Sequence, residues 1–247
     1  MKVVILCGGL GTRLREETEY RPKPMAAIGS KPMLWHIMKG YAHHGFNEFV
    51  LCLGYKGETI KEYFLNYETM NADFTVTLGR ERSIHFENGH EEVGWRVTLV
   101  DTGPTAMTGA RVARVRRFVG GERFALTYGD GVADVDLRAL VAFHVQHGRI
   151  GTLTGVQAPG RFGELSMEGD QVTQLNEKPD VAGGYINGGF FVFEPAFFDY
   201  LSTEDDCVLE RAPLSRLAAE GQLMVHRHRG FWQCMDTYRD YTLLKEL

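Results

Sequence analysis

Short apolar runs alternate with amphipathic stripes through the first 156 residues. Residues 2–7 (KVVILC) are β-branched and apolar and predict a buried strand. The period then changes: Met33, Leu34, Ile37, Met38 and Tyr41 recur at spacings of three and four, which predicts a helix opened by Pro32 and stopped by Gly45. FVLCL (49–53) predicts a second buried strand, and 58–67 a short helix with Ile60, Tyr63, Phe64 and Tyr67 on one face. WRVTLVD (95–101) and FALTY (124–128) read as strands on either side of a helix through Val112, Val115 and Phe118. Asp136 is placed to cap a helix that turns Leu137, Leu140, Val141 and His144 inward and closes at Gly148; GTLTGV (151–156) is again a strand.

The second half changes character. ELSMEGDQVTQLNEK (164–178) predicts two strands around a Gly-Asp turn, GGYINGGFFVFEP (183–195) a longer strand, 213–220 a short helix and LMVHRHR (223–229) a last strand. Residues 68–94 are polar and read as an irregular insertion or interface segment. Strands alternating with helices predict an α/β chain, with a Rossmann-like, mostly parallel sheet covered on both faces and right-handed crossovers. There is no internal repeat, low-complexity tract or linker, so the 247 residues read as one domain, 1–150 differing in character from 151–247.

Composition narrows the class little. The chain is 44% apolar and 24% charged, ample for a sizeable core. Its formal charge of −5 gives no global pull toward nucleic acid or an anionic membrane, so any phosphate must be bound by local basic residues. Cys7, Cys52, Cys207 and Cys234 form no CxxC pair and read as free thiols in a reducing compartment. The longest apolar runs are too short to span a bilayer. The chain opens directly into a strand without a signal-peptide pattern, so a cytoplasmic location is expected.

The chemistry is concentrated in LCGGLGTRLREETEYRPKPM (6–25). A glycine-rich turn after the first strand lies at the carboxyl end of such a sheet, where backbone N–H groups can approach an anion. Neither common phosphate motif fits: no GK[ST] follows, and Leu14 stands where a dinucleotide fingerprint has its third Gly or Ala. A tight turn with a solvated arginine is the plain alternative. The spacing GGLGTRL-x8-PKP, however, resembles the signature of the nucleotidyltransferases that make nucleotide sugars. PMLWHIMKGY, GYKGETIKEYF, VTLVDTG, TYGDGVAD, GRFGEL, NEKP, INGGFFVF and FWQCMDTYRD extend the likeness over nearly the whole chain, and together they resemble the glucose-1-phosphate cytidylyltransferases. Arg21 departs from a lysine common there, and Ala110 from a glycine, which adds a methyl beside the expected base pocket.

The resemblance implies a GT-A-like nucleotidyltransferase fold with a smaller β-rich, sugar-binding part. It also implies a Mg2+-dependent enzyme that makes CDP-glucose and pyrophosphate from CTP and glucose 1-phosphate, the first step toward CDP-linked deoxysugars. Leu6, Gly8, Gly9, Gly11, Thr12, Arg13, Lys23, Thr108, Gly109, Arg111 and Asp130 are the implied nucleotide-binding residues, with Arg13 and Lys23 catalytic. Tyr128, Gly129, Glu177, Lys178, Asn187 and Gly188 would meet the sugar phosphate. Asp130 and Asp236 would hold the magnesium, and a homo-oligomer, trimer or hexamer, is expected. The attacking phosphate oxygen is already an anion at neutral pH, so no general base is needed, which suits a basic loop without an acid or histidine in its glycine turn.

Each of these residues also has a structural reading. Asp130 between two glycines could serve a turn, Asp236 could cap a helix, Glu177-Lys178-Pro179 could close a strand and Asn187-Gly188-Gly189 could form a bulge. Arg111 could be an exposed arginine on the helix it opens. Asp134 and Asp136 read as turn and cap residues. The scattered histidines form no ligand set, and Phe190, Phe191, Phe193, Phe197 and Phe198 read as core. Two rival functions remain open: the same chemistry with another base or sugar, and a non-catalytic nucleotide-sugar sensor on the same fold.

Overall fold

The computed structural model describes residues 1–12, 14, 18–80, 83–157, 164–168, 171–176 and 185–247. Its centre is a seven-stranded sheet. The strands are β1 (Lys2–Leu6), β2 (Glu48–Leu53), β3 (Arg96–Asp101), β4 (Phe124–Tyr128), β5 (Gly151–Val156), β6 (Ile186–Phe193) and β7 (Leu223–His228). They lie in the order β7-β5-β6-β4-β1-β2-β3. Neighbours are parallel except where β6 runs against β5 and β4. This is the mostly parallel, mixed sheet that the alternation of elements predicts, and it takes strands from both halves of the chain.

The main helices are α1 (Met33–His43), α2 (Gly57–Leu65), α3 (Thr108–Arg114), α4 (Leu137–His147), α5 (Ala212–Ala219) and α6 (Tyr238–Glu246). Successive side chains of β1 point to opposite faces and divide the core in two. Val3 and Ile5 pack with Leu34, Ile37, Met38 and Tyr41 of α1, Leu140 of α4 and Leu244 of α6. Val4 and Leu6 pack with Val112 of α3, Leu217 of α5 and the phenylalanines Phe191, Phe193, Phe197 and Phe198. Burial of both faces explains why the parallel strands read as continuous apolar runs. The cap of α4 forms as expected: Asp136 Oδ1 accepts from the N–H groups of Arg138 and Ala139 at 3.0 and 2.9 Å, and Gly148 ends the helix at φ 62°.

Four local expectations are corrected. The helix expected over 58–67 is two, because Asn66 (φ −102°, ψ 11°) ends α2 and its side-chain amide donates to the Glu62 carbonyl before a second turn, Tyr67–Asn71, begins. The helix through Val112 and Phe118 breaks at Val115 (φ −97°, ψ 3°), and it opens at Thr108 rather than Arg111. Residues 68–94 are irregular only in part: Phe74–Thr77 and Ser83–Phe86 pair as an antiparallel, exposed ribbon whose period-two alternation is hidden among polar neighbours. Nor is β7 the last strand. Trp232–Cys234 pairs with Gly131–Ala133, and α6 follows behind a capping box made by Thr237 and Asp240. Three-residue strands carry no readable period.

His144 is fully buried on α4. Its Nε2 donates to Glu194 Oε1 at 3.2 Å, which leaves Nδ1 to accept from the Thr152 hydroxyl at 2.7 Å. Thr152 in turn accepts from His147 Nε2 at 2.6 Å, and His147 Nδ1 accepts from the Arg149 N–H at 2.9 Å. Every donor and acceptor is matched only while both rings are neutral. Burial, opposed by Glu194, lowers His144 to about 4. The unfolded chain therefore takes up this proton near the ordinary histidine value of about 6.5 while the folded chain refuses it, so stability falls as pH drops from about 6.5 toward 4. Urea unfolding should show His144 contributing about 2 kcal/mol to the stability lost between pH 7 and pH 5. The His144→Gln variant should lose correspondingly less over that interval; an unchanged pH slope would contradict the neutral network.

Candidate active site

The glycine turn leaves β1 at the carboxyl edge of the sheet. Cys7 N–H donates to the Cys52 carbonyl at 3.0 Å, and the Gly8 carbonyl accepts from Tyr55 N–H and Arg111 Nη2 at 3.3 and 2.9 Å. Arg111 is 4% exposed and also donates to the Leu53 and Gly103 carbonyls and the Thr102 hydroxyl at 2.8 to 3.0 Å. A side chain at Gly8 would overlap that guanidinium. Gly11 adopts φ 63°, which favours glycine, and its carbonyl accepts from Leu14 N–H and the Thr18 hydroxyl. Among the described residues, no backbone acceptor takes the N–H groups of Gly9 to Thr12, which remain available to an anion.

Opposite the loop, Pro22-Lys23-Pro24 makes a 3-10 turn, with Met25 N–H returning to the Pro22 carbonyl at 2.8 Å. Pro24 is buried and close enough to Gly129 to exclude a side chain there. The two prolines fix where the Lys23 stem departs. Its ammonium lies 2.5 Å from Asp130 Oδ2 and 2.9 Å from Asp236 Oδ1, with the Lys23 side chain 12% exposed. Burial alone would lower the lysine, but Asp130 and then Asp236 outweigh it and hold the ammonium above its ordinary value.

Two ladders bring those carboxylates together. Asp130 follows β4 directly. Cys234 pairs with Gly131, and Met235 N–H donates to the Asp130 carbonyl at 2.8 Å, so the chain passes Asp236 beside Asp130. The helix that follows is capped by Thr237, not Asp236. Two half-exposed carboxylates converging on one cationic atom are the donor set a magnesium ion uses, one or two carboxylates with the remaining positions left to water and phosphate. Among the described residues there is no group of three or more His, Cys, Asp or Glu side chains suited to a metal.

These groups line one cleft of about 590 Å³. It gathers Leu6, Gly8, Gly9, Gly11, Thr12, Lys23, Thr108, Arg111, Tyr128, Gly129, Asp130, Asn187 and Asp236. Three predicted site residues, Arg13, Glu177 and Lys178, lie outside the described residues. Gly109 is packed against Cys207 rather than on the cleft wall, and Gly188 sits just behind it, accepting from Trp232 Nε1 at 2.8 Å. Ala110 is fully buried and its methyl does not line the cleft. The Asn187-Gly188-Gly189 bulge does form, because the β5–β6 register slips between Leu153 and Gly155, and it leaves Asn187 on the cleft wall.

A family model described as "Nucleotidyl transferase" matches residues 2–237. The chain belongs to this nucleotidyl transferase family. It is 51% identical to a glucose-1-phosphate cytidylyltransferase of Salmonella typhi, over 100% of this chain and 95% of that protein. It is 30% identical to the mannose-1-phosphate guanylyltransferase catalytic subunit beta of Dictyostelium discoideum, over 98% of this chain and 62% of that one. The crystal structure of HddC from Yersinia pseudotuberculosis superposes with a TM-score of 0.72 at 22% identity, covering 99% and 98% of the two chains, and shares the fold.

In this nucleotidyl transferase Arg111 lines the cleft, and the alternative of an exposed helix arginine is excluded. The guanidinium is buried and donates to four acceptors, stapling the glycine turn to the ends of β2 and β3. Sequence reasoning also missed Trp232, Cys234 and Met107, which line the cleft, and Glu210, whose carboxylate reaches two of its walls. Only the tryptophan in FWQCMDT offered a signal. Cys7 and Cys234 border the cleft as thiols, since burial raises both above the ordinary range. Replacing Arg111 by Met should leave buried carbonyls unpaired and lower the unfolding free energy by about 2–4 kcal/mol in urea titrations. A change within about 0.5 kcal/mol would mean that the arginine acts on ligand alone.

Proposed function

We propose that the chain transfers CMP from CTP to α-D-glucose 1-phosphate, giving CDP-glucose and pyrophosphate. The observation that carries this reading is the meeting of an anion-ready glycine turn, Lys23 and two carboxylates in one cleft. Its size, about 590 Å³, falls within the range of small-molecule sites. The choice of cytosine and glucose is supported by the printed activity of the Salmonella relative, 51% identical over the full length.

The chemistry asks little proton transfer of the protein. A phosphate oxygen of the sugar phosphate attacks the α-phosphorus of CTP in line, a new P–O bond forms, and the bond to the β-phosphate oxygen breaks to release pyrophosphate. Catalysis is then positioning and charge neutralisation. Backbone N–H groups of residues 9–12, with Arg13, would cradle the triphosphate. Lys23, held between two prolines, would follow charge as it moves toward the leaving pyrophosphate. Asp130 and Asp236 would hold Mg2+, which supplies Lewis-acid stabilisation of phosphate charge when bound. Thr108 would face the nucleotide, and Tyr128, Gly129 and Asn187, with Glu177 and Lys178, the hexose phosphate. Residues 1–150 would thus serve mainly the nucleotide and 151–247 mainly the sugar phosphate, with Tyr128 and Gly129 crossing to the sugar and Asp236 returning to the metal.

No helix among the described residues is long and apolar enough to cross a membrane. The cytoplasmic location belongs to this reading because the nucleotide substrate is found there. The exposed ribbon of Phe74–Thr77 and Ser83–Phe86 supports assembly with further copies, because a two-stranded ribbon is marginal on its own; the trimer or hexamer is what the family resemblance implies.

Pyrophosphate release with glucose 1-phosphate and magnesium, measured separately for CTP, UTP, dTTP, GTP and ATP, should occur strongly only with CTP. Asp130→Asn should lower that rate at least about a hundredfold without unfolding the chain. Turnover preferring another nucleotide would replace the base assignment. Binding of CDP-glucose without any turnover would mark a sensor.

A further inference from the structure

The loop before α5 is laced to the segment that leads into α3. Met107 N–H donates to the Asp205 carbonyl at 2.8 Å and Ala110 N–H to the Cys207 carbonyl at 3.1 Å, while Arg114 Nη2 reaches the Asp205 carboxylate at 2.7 Å. Glu210 therefore extends from a loop whose position is fixed. Its Oε2 accepts from the Thr108 hydroxyl at 2.8 Å and its Oε1 from the Tyr128 hydroxyl at 2.5 Å. Thr108 opens α3 and Tyr128 ends β4, and both line the cleft.

A carboxylate only accepts, so the single proton of each hydroxyl is committed to Glu210. The oxygens can then only accept from other groups. Thr108 Oγ1 takes the Leu209 N–H at 2.9 Å, and the Tyr128 oxygen takes Asn187 Nδ2 at 3.2 Å. Asn187 Oδ1 is meanwhile occupied by the Gly189 N–H at 2.9 Å. The Asn187 amide thus has one permitted orientation, and it keeps for a ligand its second Nδ2–H, a donor suited to a sugar hydroxyl or phosphate oxygen, and the second lone pair of Oδ1.

We propose that Glu210 is a positioning residue for both substrates: one carboxylate holds Thr108 on the nucleotide side and Tyr128 on the sugar side, and through Tyr128 it orients the Asn187 amide. This rests on the functional reading above. Glutamine at 210 has nearly the same shape but must present an N–H to one of the two hydroxyls. That reverses the polarity of one arm and, on the sugar side, removes the constraint on Asn187. The contact is made to bound substrate and transition state alike, so its loss raises KM more than it lowers kcat.

The test is a double-mutant cycle with Glu210→Gln and Tyr128→Phe, read as kcat and KM for glucose 1-phosphate, CDP-glucose affinity by calorimetry, and thermal midpoint. Each single variant should raise KM for glucose 1-phosphate about tenfold and weaken CDP-glucose to match, with kcat within about threefold. The double variant should be no worse than Tyr128→Phe alone, because both changes remove the same relay. Thr108→Val combined with Glu210→Ala, which releases both arms, should be likewise non-additive in the KM for CTP. Multiplicative effects, or a Glu210→Gln enzyme with both KM values unchanged, would overturn the proposal while leaving the reaction intact. A wild-type protein that neither turns over nor binds CDP-glucose would overturn the functional reading and this role with it.

Discussion

The cleft is organised around one charge arrangement, a lysine ammonium wedged between two carboxylates from distant parts of the chain. Asp130 and Asp236 would repel each other if brought together without a cation, and the chain supplies one from a rigid Pro-Lys-Pro turn. The ammonium is the most buried of the three groups, which strengthens its attraction to both acids while removing it from water. Everything else at the site is placed relative to this cluster. The β1 turn faces it, the β4 terminus carries one acid, and a three-residue ladder from the C-terminal segment delivers the other.

Two different devices hold the walls around that centre. At the glycine turn a buried arginine fills its donors with three carbonyls and a hydroxyl and so fixes the backbone there, and a glycine at position 8 is needed because the guanidinium lies against it. Elsewhere the exposed Glu210 carboxylate reaches across to the hydroxyls of Thr108 and Tyr128 on the cleft wall. The first device is structural and expensive to disturb, since it leaves buried acceptors unpaired. The second sits at the surface, where its removal leaves the core untouched and changes only the direction in which small polar groups present their protons.

The fold was legible wherever a periodic apolar pattern ran long enough to be counted. The sheet strands follow from short β-branched and apolar runs, and helices α1 and α4, with their stop signals at Gly45 and Gly148, from a period of 3.6. What escaped were short elements whose stability comes from partners distant in sequence. The ladder between residues 131–133 and 232–234 is one, and it positions Asp236. The site was legible in its outline: LCGGLGTRLREETEYRPKPM declared an anion loop, and GDG after a strand declared an acid at the ligand edge. The pairing of Asp130 with Asp236 came only through resemblance, because no spacing in sequence joins positions that far apart. Arg111 was expected at the nucleotide, with an exposed helix arginine as the alternative; burial excludes the alternative, and nothing local in the sequence shows that four carbonyl and hydroxyl oxygens surround the guanidinium. Glu210 gave no signal at all, since a lone glutamate before a short helix looks like any solvated acid.

The central claim is that Asp130 and Asp236 together form the cation-binding edge of a nucleotide site. Electron paramagnetic resonance of Mn2+ tests it directly, by titrating the ion into the protein with and without CTP and repeating the titration for Asp130→Asn and Asp236→Asn. Nucleotide-dependent Mn2+ binding in the native chain, weakened at least about tenfold by either substitution, is the predicted result. Binding that is insensitive to both substitutions would place the metal elsewhere and leave the carboxylate pair as nothing more than an anchor for Lys23.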